Sequence, residues 1–147
     1  MKLDHLSLKE HLLLARRAEL RCAERLLELS SRIDPPDADL SRRLRGMVLE
    51  EESHDAELSR FDAAVPWPLV WRLDERAIGV LLEGYLPTLC RNDGTESEGP
   101  DEVRRKVSAI EDESVWFYRT LEKGAQDEGA KALFRGLAER EAAHKPV

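Results

Sequence analysis

Residues 44–61 read LRGMVLEEESHDAELSRF, and their reading decides the fold. On a helix, Leu40, Leu44, Met47, Glu51, His54, Leu58 and Phe61 follow one another at alternating intervals of four and three residues. That spacing draws a single core-facing stripe. The stripe is apolar at both ends, yet a carboxylate and an imidazole occupy its centre. An ionised Glu buried without a partner is costly, so something positive is expected to meet it. Glu-x-x-His sets an oxygen donor and a nitrogen donor one turn apart on one face, a pair that suits a transition metal. The same spacing returns at Glu141-Ala142-Ala143-His144.

Upstream, Ser7-Leu8-Lys9-Glu10 has the form of a capping box and predicts a helix from about 8 to 33. Its stripe is Leu8, Leu12, Ala15, Glu19, Cys22, Leu26, Leu29 and Ile33, with Glu19 its one charged member. Glu10, Glu24 and Glu28 fall off the stripe and are expected in solvent, as are His5 and His11. Asp34-Pro35-Pro36-Asp37 ends this helix, because proline cannot continue it. The next helix then runs from about 39 to 63, and Pro66-Trp67-Pro68 stops it.

Downstream, Asp74-Glu75-Arg76-Ala77 predicts a short crossover helix over 74–86, and residues 87–100 carry turn signals that predict a loop with little to bury. Pro100 suits the first position of a helix over 100–124. Its stripe is Val103, Val107, Glu111, Ser114, Tyr118, Leu121 and Ala125, again with one carboxylate in line. A last helix over 129–145 carries Ala130, Leu133, Leu137, Glu141 and His144. The expected fold is all-α: an antiparallel four-helix bundle in one domain spanning residues 1–147, with a long crossover holding the short extra helix.

Glu-x-x-His alone is a weak signal in a chain with 19 glutamates. Phase gives it weight. Glu19, Glu51, His54, Glu111, Glu141 and His144 all lie on otherwise apolar stripes, one Glu on each odd long helix and Glu-x-x-His on each even one. A four-helix bundle needs this set for a dinuclear carboxylate site, and four carboxylates balance two divalent ions. A metal-free polar core is the alternative.

Bulk properties exclude other classes. Net charge is −7, and basic residues form only short runs such as Arg42-Arg43, which argues against nucleic acid. No apolar run suits a membrane span, and the charged start MKLDHLSLKEH does not read as a signal peptide. A cytoplasmic protein is the default expectation. Cys22 and Cys90 lack Cys-x-x-Cys spacing, which excludes a rubredoxin-type site or zinc ribbon within these residues. Cys22 is expected as a buried thiol.

With these residues in view, the chain resembles the rubrerythrin-like branch of the ferritin-like superfamily. The resemblance covers the chain apart from residues 65–100 and is closest in AIEDESVWFYRTL (109–121), AKALF (130–134) and EAAH (141–144). It implies two iron ions, bridged by Glu51 and Glu141, with Glu19 and His54 on one and Glu111 and His144 on the other. Manganese or zinc would also suit these donors. It further implies reaction of Fe(II) with dioxygen or hydrogen peroxide, as a ferroxidase or peroxide scavenger. A structural, interaction or metal-binding bundle without catalysis is the alternative function. Ser114 stands where rubrerythrins with peroxidase activity carry an additional Glu. With no rubredoxin domain, electrons would come from an external donor or from Fe(II) itself. Tyr118, one stripe step beyond Ser114, is a candidate to hydrogen-bond a ligand or donate an electron, or else a core tyrosine.

The sequence ends three residues past His144, where relatives of this kind continue the last helix. His144 is therefore expected on a frayed turn that a second chain would order over residues 140–147, in a homodimer or larger assembly. Trp67, Leu69 and Trp71 are expected either to cover the bundle end or to form the contact between chains.

Overall fold

Prolines and capping side chains partition the chain. The computed structural model describes residues 2–91, 94 and 96–144. After a 3-10 turn at Leu3–His5 come α1 (Leu8–Ser30), α2 (Ala38–Ala63), α3 (Glu75–Tyr85), α4 (Pro87–Cys90), α5 (Pro100–Gly124) and α6 (Glu128–Ala143). The described residues contain no strand, so the fold is an all-helical bundle. No helix among them is long and apolar enough to cross a membrane.

The expected capping box opens α1: the Ser7 hydroxyl accepts from the Glu10 amide while the Ser7 amide donates to the Glu10 carboxylate. Asp37, Asp74 and Asp127 each accept from the amide three residues on, at the starts of α2, α3 and α6. Each such bond satisfies an amide that the helix leaves without a partner. Pro100 takes the first position of α5, where its missing N–H costs nothing.

α1 packs chiefly on α2, and α5 on α6. The stripes meet between them. Leu12, Leu26, Leu44, Leu58, Val107, Phe134 and Leu137 are fully enclosed, each such side chain contributing on the order of 1.5–3 kcal/mol through removal from water. The start of α1 lies beside the end of α2, where the Lys9 ammonium donates to the carbonyls of Asp62 and Val65.

Four expectations are corrected. First, α1 stops at Ser30, not near residue 33, because the chain beyond it pairs elsewhere. The Asp34 amide donates to the Glu98 carbonyl and the Glu98 amide to the Arg32 carbonyl, both at 2.8 Å. Second, the expected loop 87–100 is partly structured: it begins with α4, which buries Leu89 and whose Thr88 amide donates to Glu113. Residues 92, 93 and 95 of that loop lie outside the described residues. Third, Glu10 is not in solvent but fully buried. It accepts from the amides of Arg72 and Leu73 at 2.5 and 3.0 Å, so the segment before α3 folds over it. Fourth, His11 is buried as well, its ring bonded to the Leu3 carbonyl under the 3-10 turn. The 3.6-residue period could not show either covering, since both come from chain outside the helices. His5 is exposed, as expected.

Trp67, Leu69 and Trp71 do not cap the core. Trp67 is 73% exposed and Leu69 fully so. Trp67 does lie under the Lys9 ammonium, 4.7 Å from its ring centre.

Candidate metal centre

Each candidate donor comes from a different place on the four long helices. Glu19 lies mid-α1, Glu51 and His54 share one face of α2, and Glu111 lies mid-α5. Glu141 sits in the last turn of α6, and His144 is its C-cap. The structure brings all six together. Donor atoms of Glu19, Glu51, His54 and Glu141 lie within 4.8 Å of one another, and so do those of Glu51, Glu111, Glu141 and His144. Glu51 and Glu141 belong to both groups.

The imidazoles reach across the bundle. His54 Nδ1 is 3.1 Å from Glu141 and 3.5 Å from Glu19, closer than the 3.8 Å to Glu51 on its own helix. His144 Nδ1 is 2.9 Å from Glu111, against 3.5 Å to Glu141. The two rings are nearly parallel, with centres 6.2 Å apart.

Burial is nearly complete. The four glutamates and His54 are buried, and the His144 side chain is only 7% exposed. The frayed, open histidine expected from sequence is therefore not what residues up to 144 show. Residues 145–147 lie outside the described part.

Four enclosed oxygens, one on each glutamate, have no hydrogen-bond donor among the described residues: Glu19 Oε2, Glu51 Oε1, Glu111 Oε1 and Glu141 Oε2. Desolvated carboxylate oxygens without donors must take up protons or face a cation. The titration of the metal-free cluster has this character. Burial pushes the Glu51 carboxyl well up, and the charges of Glu19, Glu141 and Glu111 push it further. Burial likewise raises Glu111, to about 9, against the pull of His144. Glu141 moves down despite its burial, because both histidines bond to it. Burial alone would lower the imidazoles, but carboxylates outweigh it: Glu141 and Glu19 hold His54 at about 9, and Glu111 and Glu141 hold His144 at about 11. The donor set of hard carboxylate oxygens with two imidazoles suits iron, manganese or zinc. Each of the two groups could hold a metal ion, and Glu51 and Glu141 are common to both.

Around the donors, the fully enclosed Tyr118 donates its hydroxyl to Glu19 Oε1. Cys22 is buried beside the four carboxylates, and burial followed by their charges pushes its thiol well up. Such a thiol is inert at neutral pH, in keeping with the structural reading. Ser114 faces the same interior. The sequence reading missed Glu50, whose carboxylate meets His144 Nε2. Its position beside Glu51 was the only available signal, and it lies off the stripe. It also missed Arg140, held by two bonds to Glu57. Glu50, Ser53, Arg140 and Ala143 line a cleft of about 360 Å³ that reaches both histidines.

Neither a protein-family model nor a curated protein matches the sequence. Among solved structures the chain is similar to a hypothetical protein from Pyrococcus furiosus, with 22% identity over 97% of this chain and 86% of that one, at a TM-score of 0.67. That likeness shows the fold alone.

Proposed function

We propose that this chain is a dinuclear iron protein of the ferritin-like, rubrerythrin-like kind, its four long helices arranged as an antiparallel four-helix bundle. On this reading it reacts Fe(II) with dioxygen or hydrogen peroxide. One observation carries the reading: each of four buried glutamates presents an enclosed oxygen that no donor meets, and these glutamates converge with two histidines into quartets that share Glu51 and Glu141.

Glu19 and His54 would hold one ion, Glu111 and His144 the other, and Glu51 and Glu141 both. When bound, the ions supply the electrons that reduce the oxidant, two from the pair together. The chain supplies the rest. Burial of the donors within the apolar core keeps charges in the site at low dielectric. Tyr118 orients Glu19 through its hydroxyl. Glu50 meets the outer nitrogen of His144 and so fixes which nitrogen faces inward. The cleft between Ser53 and Ala143 gives a small oxidant a way to the histidine side. An external donor or further Fe(II) would return electrons. Self-association of the chain belongs to the same reading, supported by the exposed Trp67, Leu69 and Val70.

A metal-free or purely structural bundle is the second reading. It is favoured by the bonds of His54 to Glu141 and His144 to Glu111, which satisfy part of the cluster without any ion. One experiment separates the two: metal analysis of protein purified without chelator, followed by absorption spectra after Fe(II) and then air or peroxide. Two ions per chain and a ligand-to-iron band after oxidation are expected. A chain that takes up no metal, or that binds it without reacting, establishes the second reading.

A further inference from the structure

We propose that a line of touching aromatic rings carries single electrons between the surface at Trp116 and the carboxylate cluster, ending at Tyr118. This inference rests on the proposed reaction with dioxygen.

The rings form a continuous path. Trp116 stacks on Tyr85 with ring centres 4.9 Å apart, Tyr85 meets Phe117 at 5.9 Å, and Phe117 meets Tyr118 at 5.5 Å. All lie within the contact range of aromatic pairs. The Tyr118 hydroxyl then bonds to Glu19, a member of the first quartet. The outer end is open, with Trp116 52% exposed, whereas Phe117 and Tyr118 are enclosed. Electronic coupling falls steeply with the gap between donor and acceptor, so rings in contact conduct far better than aliphatic packing of the same thickness. Placement on the elements supports the idea. Trp116, Phe117 and Tyr118 are consecutive on α5, so their side chains point in different directions. Tyr85, at the end of the crossover helix α3, closes the path from Trp116 to Phe117. The crossover thus has a role that its packing alone does not require.

The chemistry balances. Reduction of dioxygen to two waters takes four electrons and four protons; a bound metal pair would supply two of the electrons, solvent the protons, and the relay the other two electrons one at a time. For each, Tyr118 gives up one electron; the phenolic O–H bond breaks and its proton passes to Glu19 Oε1. Trp116 then returns an electron to Tyr118 through Tyr85 and Phe117, and the proton on Glu19 goes back to re-form the O–H bond. Trp116, now one electron short, releases its indole proton to water. A small one-electron reductant at the surface, with ascorbate as the probe, restores Trp116, which regains a proton from water.

Trp67 provides the internal control. It is more exposed than Trp116 and its ring lies tilted against that of Trp71, yet among the described residues that pair has no ring contact with the path. A diffusing oxidant would strike Trp67 first. The experiment loads the full chain with Fe(II), confirms its metal content, and adds air-saturated buffer without reductant. Samples are frozen for electron paramagnetic resonance and digested for mass mapping of oxidised residues. The expected result is a tyrosyl signal and oxidation concentrated at Trp116 over Trp67. Tyr118→Phe should abolish both when compared at equal metal content per chain. Tyr85→Leu, on a different element, should keep the tyrosyl signal but lose Trp116 oxidation. Trp116→Phe should prolong the tyrosyl signal and slow its quenching by ascorbate. A loaded, oxygen-consuming chain whose Trp116 is oxidised no more than Trp67, or whose pattern Tyr118→Phe leaves unchanged, overturns the relay alone. A chain that takes up no metal overturns the proposed reaction and the relay with it.

Discussion

Glu10 and the Glu51 cluster are both buried acid, and they behave in opposite ways. Glu10 is fully enclosed, yet its carboxylate accepts from the Ser7 amide and hydroxyl and from the amides of Arg72 and Leu73. Burial pushes its carboxyl up, but those bonds outweigh burial and leave it below the usual value. In the cluster the carboxylates face one another and two imidazoles, with the Tyr118 hydroxyl on Glu19, and each glutamate keeps one oxygen unmet. Burial itself therefore does not mark a functional carboxylate. A site built to stabilise the fold satisfies its acid with neutral backbone donors. On the proposed reading, the cluster would leave lone pairs pointing inward for cations and tolerate the repulsion until they arrive.

The comparison breaks most sharply at the shared ligands. Glu51→Ala or Glu141→Ala should remove most of the bound metal, because each residue belongs to both quartets. Glu52→Ala, one position off the stripe and exposed, should leave the content unchanged. Inductively coupled plasma analysis of protein loaded under identical conditions decides the matter, and undiminished metal in both of the first two variants would remove the dinuclear site.

Glu10→Ala should do the reverse. It strands the amides of Arg72 and Leu73 and undoes the capping box, a loss of roughly 2–4 kcal/mol, while metal content per folded chain stays the same. Urea unfolding with metal analysis of the same samples measures both. A variant as stable as the parent would mean that water replaces the lost acceptor.

The two regions should also oppose each other in pH. Glu111 sits at about 9 in the metal-free fold against an ordinary 4.5, and His54 and His144 at about 9 and 11 against 6.5. These groups are raised in the fold, so their contribution is complete below the unfolded values and is lost as pH rises through the folded ones. The metal-free protein should therefore melt progressively lower between neutral pH and about 9. The Glu10 contribution has the other sign: present above the ordinary carboxylate value, lost as pH falls through its depressed one. Metal loading displaces the cluster protons, so it should acidify a weakly buffered solution and flatten the alkaline loss. Melting curves with and without chelator test this, and coincident curves across that range would separate the titration from the metal site.

The smallest effect is expected just outside the donors. Glu50→Ala frees the outer nitrogen of His144 and should weaken metal binding by about tenfold, without changing stoichiometry at saturating metal. A competition titration against a chelator measures it, and unchanged affinity would show that Glu111 orients His144 unaided.

Much of this molecule was legible in its residues. Pro100 and Gly124 bound α5 where the sequence reading set them, Ser7 opens α1 with the expected capping box, and Asp74 begins the crossover helix as read. The alternation of three and four residues put Glu19, Glu51, His54, Glu111 and Glu141 on the inward faces, because a helix's own geometry fixes which side chains share a face. Tertiary structure alone decided what those faces meet. His54 lies nearer to Glu141 than to Glu51, although Glu51 is one turn away on the same helix. Tyr118 reaches Glu19 across the core, and segment 72–73 closes over Glu10. Ile33 lies outside the helix, where the backbones of Arg32 and Asp34 on either side of it pair with Glu98. Local periodicity sets the direction of a side chain, but its partner comes from chain far away in sequence, chosen by how the helices pack and by where the connecting segments find uncovered surface.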